Sequence, residues 1–571
     1  MTFTSKNHIL NYKKTKLIDL GDSINPVKRL QQYNPLYSVF FNLTETNYNH
    51  IQLNHKNEIN DLNHICNTIT NEINEKEIFI KYSPLLDPIR YMIGKYDNNK
   101  IQNLPNLIIT DENCDKKLLD YNNASYVDNF FNFLSSILLN NHQFIHGIDY
   151  YGSFLGIQEK FKMNIEDDLE YLSGSNFFLQ NIGKLMTIEN FEKDSCHGKN
   201  DSRSNKKVLV FEENIDLNDV IESITIEPTS EYIDNSQNIN EFVIDENVSI
   251  DINENNSVSS NSSNSSNSSN SSNSTLSVTS KDNTSITSIN KDGGDDNSNN
   301  DEDDDESDNE SDDESDNGEN DAIAYINDFP VQMICLEKCE GTMDDLFVHN
   351  IIDNKNGIAF LFQIIMILIA YQKVYHFTHN DLHTNNIMFI LTSKKYLYYK
   401  HDNLFYKVPT YGYIFKIIDF GRSIYKYKGK ILCSDSFAPD GDGNTQYNCE
   451  PFYNEKKEKI EPNFSFDLCR LGCSIYDFVL DNKTNINKMD PFQNIIKEWI
   501  TDDNNRNVLY KHNGNERYPG FKLYKMISRT VHKNIPKDQL KRSCFKKFQT
   551  TKNISSNEIV MDIDNLPIYA I

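Results

Sequence analysis

Apolar side chains run from Ile358 to Tyr371, broken only at Gln363, and lead into a polar octet, His379 to Asn386, reading HNDLHTNN. The run falls short of the roughly 18 to 20 apolar residues needed to cross a bilayer, so it predicts a buried helix. Two apolar runs follow the octet, Ile387 to Leu391 and Ile414 to Ile418, with a Tyr- and Lys-rich excursion between them. Both read as strands, and the excursion reads as an extended loop joining them. Upstream, Ile78 to Lys81 is short and β-branched or aromatic, is closed by Pro84, and predicts a buried strand. In Ser125 to Leu139, apolar residues at 127, 130, 131, 134, 137 and 138 have the spacing of a helix packed on one face. Phe144 to Leu155 is strand-like, with bends at Gly147 and Gly152, and Gln332 to Leu336 predicts another strand. Residues 1–75 are rich in Asn, Thr and Lys, and short alternations at Tyr37 to Phe41 and Ile51 to Leu53 suggest strands or irregular structure. The segment Ser465 to Phe478, SFDLCRLGCSIYDF, predicts a helix, and from Trp499 onward helical and loop signals alternate.

Between about 157 and 325 this patterning lapses into NSS repeats across 261–273 and then an acidic tract. Such sequence buries too little apolar surface to offset an ordering cost of about 1 to 2 kcal/mol per residue, which predicts a largely disordered insertion. Length alone, 571 residues, allows several domains, but 38% hydrophobic residues and a mean hydropathy of −0.62 place much of the chain outside any core. Residues 292–319 hold sixteen acids and no base, so this one tract carries over half of the net charge of −28 and the rest is no general polyanion. Ser307, Ser311 and Ser315 precede acids there, as acid-directed phosphorylation sites do and as a solvated spacer also does. The ten cysteines show no close CxxC pairs, which argues against zinc or a disulfide framework. Nothing of signal-peptide type is recognisable at the N-terminus, so the expectation is an intracellular, non-secreted chain without a membrane span.

The octet sets a carboxylate, Asp381, five residues before an amide, Asn386, and a second acid, Asp419, follows the strand Ile414 to Ile418 as Asp-Phe-Gly. In phosphoryl transfer such an acid orients a hydroxyl proton, while an amide oxygen and a second carboxylate hold magnesium. From its strand alone, Lys81 reads as an edge lysine. Asp128 is the sole acid of its predicted helix, near its N-terminus, where an acid suits the helix dipole. DGDGN at 440–444 fails as a calcium loop, lacking Gly at the sixth position and placing Pro451 where the bidentate Glu belongs. The stretch 521–548 is basic on balance; it can bind nucleic acid or the acidic tract, or form the solvated face of a helix.

Taken in order, Lys81, VQMICLEKCEG, HNDLHTNN, Asp419-Phe-Gly and the Asp467 to Gly472 pair resemble the eukaryotic-type protein kinase superfamily. SPLLDPIRYMIGKYD, FIHGIDYYGSFLG and the Asn-rich composition are similar to serine/threonine-protein kinases of giant DNA viruses of the Mimivirus type. The resemblance implies an α+β, bilobal protein-kinase-like fold with a small β-rich N-lobe, a larger helical C-lobe and the insertion between them. On this reading, 1–75 holds possible first strands, 76–156 the N-lobe, 157–325 the insertion, 326–548 the hinge and C-lobe, and 549–571 a tail. It also implies ATP and Mg2+ as cofactors, with Asp381 catalytic, Asn386 and Asp419 on the metal, Lys81 on the phosphates and Asp128 pairing with Lys81. The hinge backbone, Glu337, Lys338 and Cys339, would meet the adenine, and Asp467 would brace the octet's backbone. The implied partner is a protein substrate phosphorylated on Ser or Thr, in the host cytoplasm or virion; the acidic insertion can recruit a basic partner.

Departures from the family pattern keep other readings open. No glycine-rich loop precedes Lys81, and Thr44 to Asn49 is the candidate substitute. Asn380 stands where many kinases have Arg, which removes the usual reader of a phosphorylated activation segment, and His383 stands where Lys is common. The APE tripeptide is missing, with Glu455 as its candidate acid. A pseudokinase scaffold and a small-molecule phosphotransferase are the alternatives.

Overall fold

The computed structural model describes residues 26–49, 53–109, 111–189, 322–480, 488–551 and 554–571. The architecture is mixed α/β. Its main sheet is antiparallel and runs in the order Val27–Gln31, Tyr150–Asn164, Ile323–Glu337, Ile78–Pro84, with Met186–Glu189 paired beside Ile323–Glu337. In this register Lys81 faces Ile334 and Ile78 faces Glu337, so the lysine strand lies directly against the strand expected to lead into the hinge.

Helix Ala124–His142 begins where the Asn123 side chain accepts from the Ser125 N–H and stops at Gln143 in the left-handed region. It covers the predicted segment and is more deeply buried than a one-faced helix, because aromatic residues meet it from several sides. The Phe131 ring lies 4.3 Å from Phe377, 4.5 Å from Phe420 and 4.8 Å from Tyr425, centroid to centroid. These contacts join the helix to the octet's entry, to Asp419-Phe-Gly and to the hairpin Ile424–Tyr427/Lys430–Cys433.

The apolar run forms helix Gly357–Tyr375. By length and composition it is the one described helix long and apolar enough to cross a membrane, and 94% of its apolar window is buried inside the protein, as a core helix requires. It ends at His376 in the left-handed region, which frees the backbone to turn into the octet. Ile387–Leu391 then pairs with Tyr413–Ile417 on one side and Gly341–Thr342 on the other. Helices Phe466–Val479, Pro491–Trp499 and Phe521–Thr530 follow.

Several boundaries differ from the sequence reading. The strand expected to fade at Leu155 continues to Asn164, through the position set for the start of the insertion, because Ile157 and Phe161 are buried against the partners Pro330 and Ile326. Among the described residues, regular structure reaches Glu189 on one side of the expected insertion and Ile323 on the other. For Tyr37 to Phe41 the irregular alternative holds: a 3-10 turn, Pro35–Val39, forms where Pro35 follows Asn34, whose side chain caps the Leu36 N–H at 2.9 Å. The excursion 392–412 is not an open loop. It folds as the hairpin Tyr396–His401/Leu404–Pro409, flanked by Gln549–Thr550 and by Val560–Asp562, so the segment set down as a tail is built into a sheet. The NSS repeats and the acidic tract lie outside the described residues.

Candidate active site

The octet is held by its backbone. Asp467, wholly buried in the first turn of Phe466–Val479, accepts the N–H of His379 and of Asn380, each at 2.9 Å. Each is a charge-assisted bond from a fixed helix, so the loop has little freedom to shift. Asn380 takes a positive φ of 67°, a conformation that Asn tolerates better than bulkier residues. Its side chain donates to the Arg422 carbonyl (3.0 Å) and accepts from the Tyr447 hydroxyl (3.2 Å). A polar clamp on the segment after Asp419 thus stands where the sequence lacks arginine. At the far end of the octet, the Asn386 amide nitrogen donates to the Asp381 carbonyl (3.0 Å), and the Ile418 N–H donates to the Asn386 carbonyl (3.0 Å). Asp381, Asn386 and the approach to Asp419 are therefore stitched together.

Lys81 comes from the opposite side. Its ammonium donates to Asp128 Oδ2 at 2.8 Å and to Asp419 Oδ1 at 2.9 Å, with the lysine and Asp128 side chains almost without exposure. Burial disfavours the Lys81 charge, and the two carboxylates more than offset it, raising its pKa. Burial likewise works against an ionised Asp419, but the Lys81 charge and hydrogen bond outweigh it, and its pKa lies below the usual carboxylate range. For Asp128 burial prevails over Lys81, and its pKa is raised. The other Asp128 oxygen accepts the Phe420 N–H at 2.8 Å, so Asp128 fixes both Lys81 and the turn that presents Asp419.

Asp381 has a different setting. Burial raises its pKa, and His383, Arg470, Arg422 and the Tyr524 hydroxyl together bring it below the ordinary value. Tyr524 donates to Asp381 Oδ1 at 2.9 Å and itself accepts from Arg470 Nε at 2.9 Å. The contacts of Tyr524 and Arg470 fall on Oδ1, and Asp381 Oδ2 accepts no hydrogen bond from a described residue. Burial holds His383 well down, to about 4, so its charge acts on Asp381 only in acid, and at neutral pH the ring supplies no cation. The cations near Asp381 are instead Arg470 and Arg422, the latter buried and paired with Asp442.

Tyr524, Arg470 and Arg422 went unremarked in the sequence. Tyr524 lies 143 residues from Asp381, and no local motif announces the contact. Other expected residues fall less centrally. Glu337 is spent on Lys416 and on the Asp149 N–H (2.8 Å), Lys338 pairs with Glu77, and Cys339 is half-buried past the strand end. No backbone hydrogen bond ties the Cys339 N–H to a described residue. Thr44 to Asn49 forms a turn tied back to Gln32 and Tyr33 through the Asn49 side chain. Glu455 is exposed, and among the described residues it forms no ion pair.

The donor set suits magnesium with a polyphosphate: a carboxylate kept ionised at Asp419, an amide oxygen at Asn386 whose NH2 is already engaged, and a lysine beside them.

Part of the chain is similar to a kinase-named viral protein. Over 149 aligned residues it is 30% identical to a curated protein of Acanthamoeba polyphaga mimivirus named "Putative serine/threonine-protein kinase". The likeness covers 24% of this chain, and the chain spans about a third (34%) of that relative's length. No protein-family model matches the chain.

Proposed function

We propose that this protein transfers the γ-phosphoryl group of ATP, with Mg2+, to Ser or Thr hydroxyls of protein substrates, on a bilobal protein-kinase-like fold. The observation that carries the reading is the buried Lys81–Asp128–Asp419 triad, with Asp381 and Asn386 stitched to the same strand end. A binding scaffold has no use for a lysine held between two carboxylates, whereas phosphate binding next to a metal carboxylate does. Magnesium, when bound, supplies charge neutralisation on the transferring phosphates, with Asp419 and Asn386 as its protein ligands.

Asp381 orients the acceptor hydroxyl at Oδ2 and takes its proton, a task that its lowered pKa suits for orientation more than for strong basicity. Tyr524 and Arg470 fix the carboxylate plane, and Lys81 places its ammonium at the phosphate end of the site. Asp467 and Asn380 hold the octet and the segment after Asp419 without any phosphorylated residue, which supports activity independent of activation-segment phosphorylation. The test is transfer of label from γ-labelled ATP with Mg2+ to the chain itself and to a general protein substrate, for the wild type beside Asp381→Asn. Transfer that Asp381→Asn abolishes is expected. A wild type as silent as the variant, although nucleotide raises its melting temperature, would leave the scaffold reading in its place.

A further inference from the structure

Helix Phe521–Thr530 brings Tyr524 to Asp381 and so stands beside the acceptor end of the candidate site. Lys522, Lys525 and Arg529 lie three and four positions apart, which puts them on one face of that helix. Lys522 and Arg529 are exposed and Lys525 half-buried, and among the described residues none of the three forms an ion pair. Lys525 lies over the Phe521 ring, 4.9 Å from its centroid. Burial, then the charges of Arg529 and Lys522, bring its pKa down to about 8. Arg529 donates to the carbonyls of Thr445 and Lys525, each at 2.8 Å, and the acid that influences it, Glu458, is exposed. Deeper in, Arg470 and Arg422 are already matched by Asp381 and Asp442, although among the described residues Arg422 Nε and Nη1 are buried without a hydrogen-bond partner. The face of this helix that carries Lys522, Lys525 and Arg529 is thus positive in a chain whose net charge is −28. Like charges gathered this way cost free energy in the free protein and are relieved by an anionic ligand.

We infer that the acceptor bound beside Asp381 is a serine set among acidic residues, whose flanking carboxylates meet Lys522, Lys525 and Arg529. The chain carries such a sequence itself. Residues 305–317, DESDNESDDESDN, surround Ser307, Ser311 and Ser315 with acids and contain no base. That segment is the assigned occupant, and its serines are the assigned acceptors. The inference rests on the phosphoryl-transfer reading above. The acceptor serine Oγ bonds to the γ-phosphorus of ATP, the bond to the β–γ bridging oxygen breaks, the hydroxyl proton passes to Asp381, and ADP leaves.

The experiment uses the full chain, a peptide of residues 305–317, and a lysine-rich serine peptide of equal length. Initial rates of transfer, phosphosite mapping on the chain and fluorescence anisotropy of the labelled peptides are measured. The acidic peptide should be the better substrate. Its KM should rise roughly tenfold in Lys522→Glu/Lys525→Glu, as for two lost rim ion pairs, and should rise as NaCl goes from about 50 to 300 mM. Phosphate should appear on Ser307, Ser311 or Ser315 of the wild type and be absent in Asp381→Asn. Should the double variant fail to melt cooperatively, Lys522→Ala and the salt dependence of the wild type carry the same comparison. Preference for the basic peptide, or a KM indifferent to both charge and salt, overturns this inference and leaves phosphoryl transfer intact. Acidic-peptide binding that depends on the lysines, with no transfer to any acceptor, upholds the surface and overturns the transfer reading. Lysine-dependent binding of a single-stranded oligonucleotide, with none of the acidic peptide, overturns the assignment of the occupant.

Discussion

Lys81 joins two carboxylates that the chain brings from opposite sides, so Lys81→Met should be among the most costly single substitutions in the protein. Methionine keeps most of the volume but removes the charge between Asp128 Oδ2 (2.8 Å) and Asp419 Oδ1 (2.9 Å), where the side-chain exposures of lysine and Asp128 are 8% and 1%. Removing one partner of a buried pair costs about 3 to 5 kcal/mol, largely because the remaining charge is left uncompensated. Here two carboxylates remain, and Asp128, whose pKa is already raised, answers by taking a proton. The physical signature is therefore coupling. Asp128→Asn alone should destabilise by breaking bonds to Lys81 and Phe420, and the double variant Lys81→Met/Asp128→Asn should be roughly 2 kcal/mol less destabilised than the sum of the singles. Urea unfolding of the four proteins at pH 7 and at pH 5 measures this, and the Lys81→Met deficit should shrink at pH 5 as Asp128 protonates. A Lys81→Met protein within about 0.5 kcal/mol of the wild type, or a cycle that closes additively, would refute the buried triad.

Tyr524→Phe removes one hydrogen bond to an ionised carboxylate, worth about 1.5 to 3 kcal/mol, so kcat should fall roughly ten- to hundredfold with little change in the KM for ATP, and the acid limb of the pH–rate profile should move up. Steady-state kinetics across pH checks it; a matching loss in ATP KM would speak for general unfolding instead. Phe131→Ala empties the centre of the aromatic cluster and should cost about 3 to 5 kcal/mol in denaturant unfolding. His146, wholly buried between the Phe415 carbonyl and the Tyr399 hydroxyl, is held down to about 3 by burial. Its folded pKa lies below the unfolded value near 6.5, so the stability it confers is complete above about pH 6.5 and is lost toward pH 3 at up to about 1.4 kcal/mol per pH unit. His146→Gln should flatten the fall in stability between pH 6.5 and 4, and an unchanged slope in chemical denaturation would count against that assignment.

The residues that sequence made legible are those whose chemistry coincides with local pattern. Asp381, Asn386 and Asp419 lie between or directly after apolar runs that read as core elements, and Lys81 belongs to a strand whose partner was also recognisable, although that strand runs on past the lysine to Pro84. Asp128 was found because its helix holds no other acid. The excursion after Leu391 did carry its signal, alternating side chains around Asp402–Asn403, both at positive φ as a tight hairpin requires, but a loop reading passed over it. What escaped depends on distant partners. The parallel pairing of Val560–Asp562 with Tyr398–Lys400 has no local signature, and neither does the reach of Tyr524 and Arg470 to Asp381. The run of the Tyr150 strand to Asn164 was hidden by polar residues, such as Lys160 and Lys162, on the face opposite Ile157 and Phe161.

The most direct measurement follows γ-phosphate from ATP to acceptor under single-turnover conditions, in parallel with nucleotide binding, for the wild type, Asp381→Asn and Asp419→Asn. The expected pattern separates the two acids. Asp381→Asn should bind Mg-ATP as the wild type does and transfer at least a thousandfold more slowly, roughly 4 kcal/mol of barrier, while Asp419→Asn should lose Mg2+-dependent binding as well. Undiminished transfer in Asp381→Asn, or Mg-ATP binding indifferent to Asp419→Asn, would contradict phosphoryl transfer at this site.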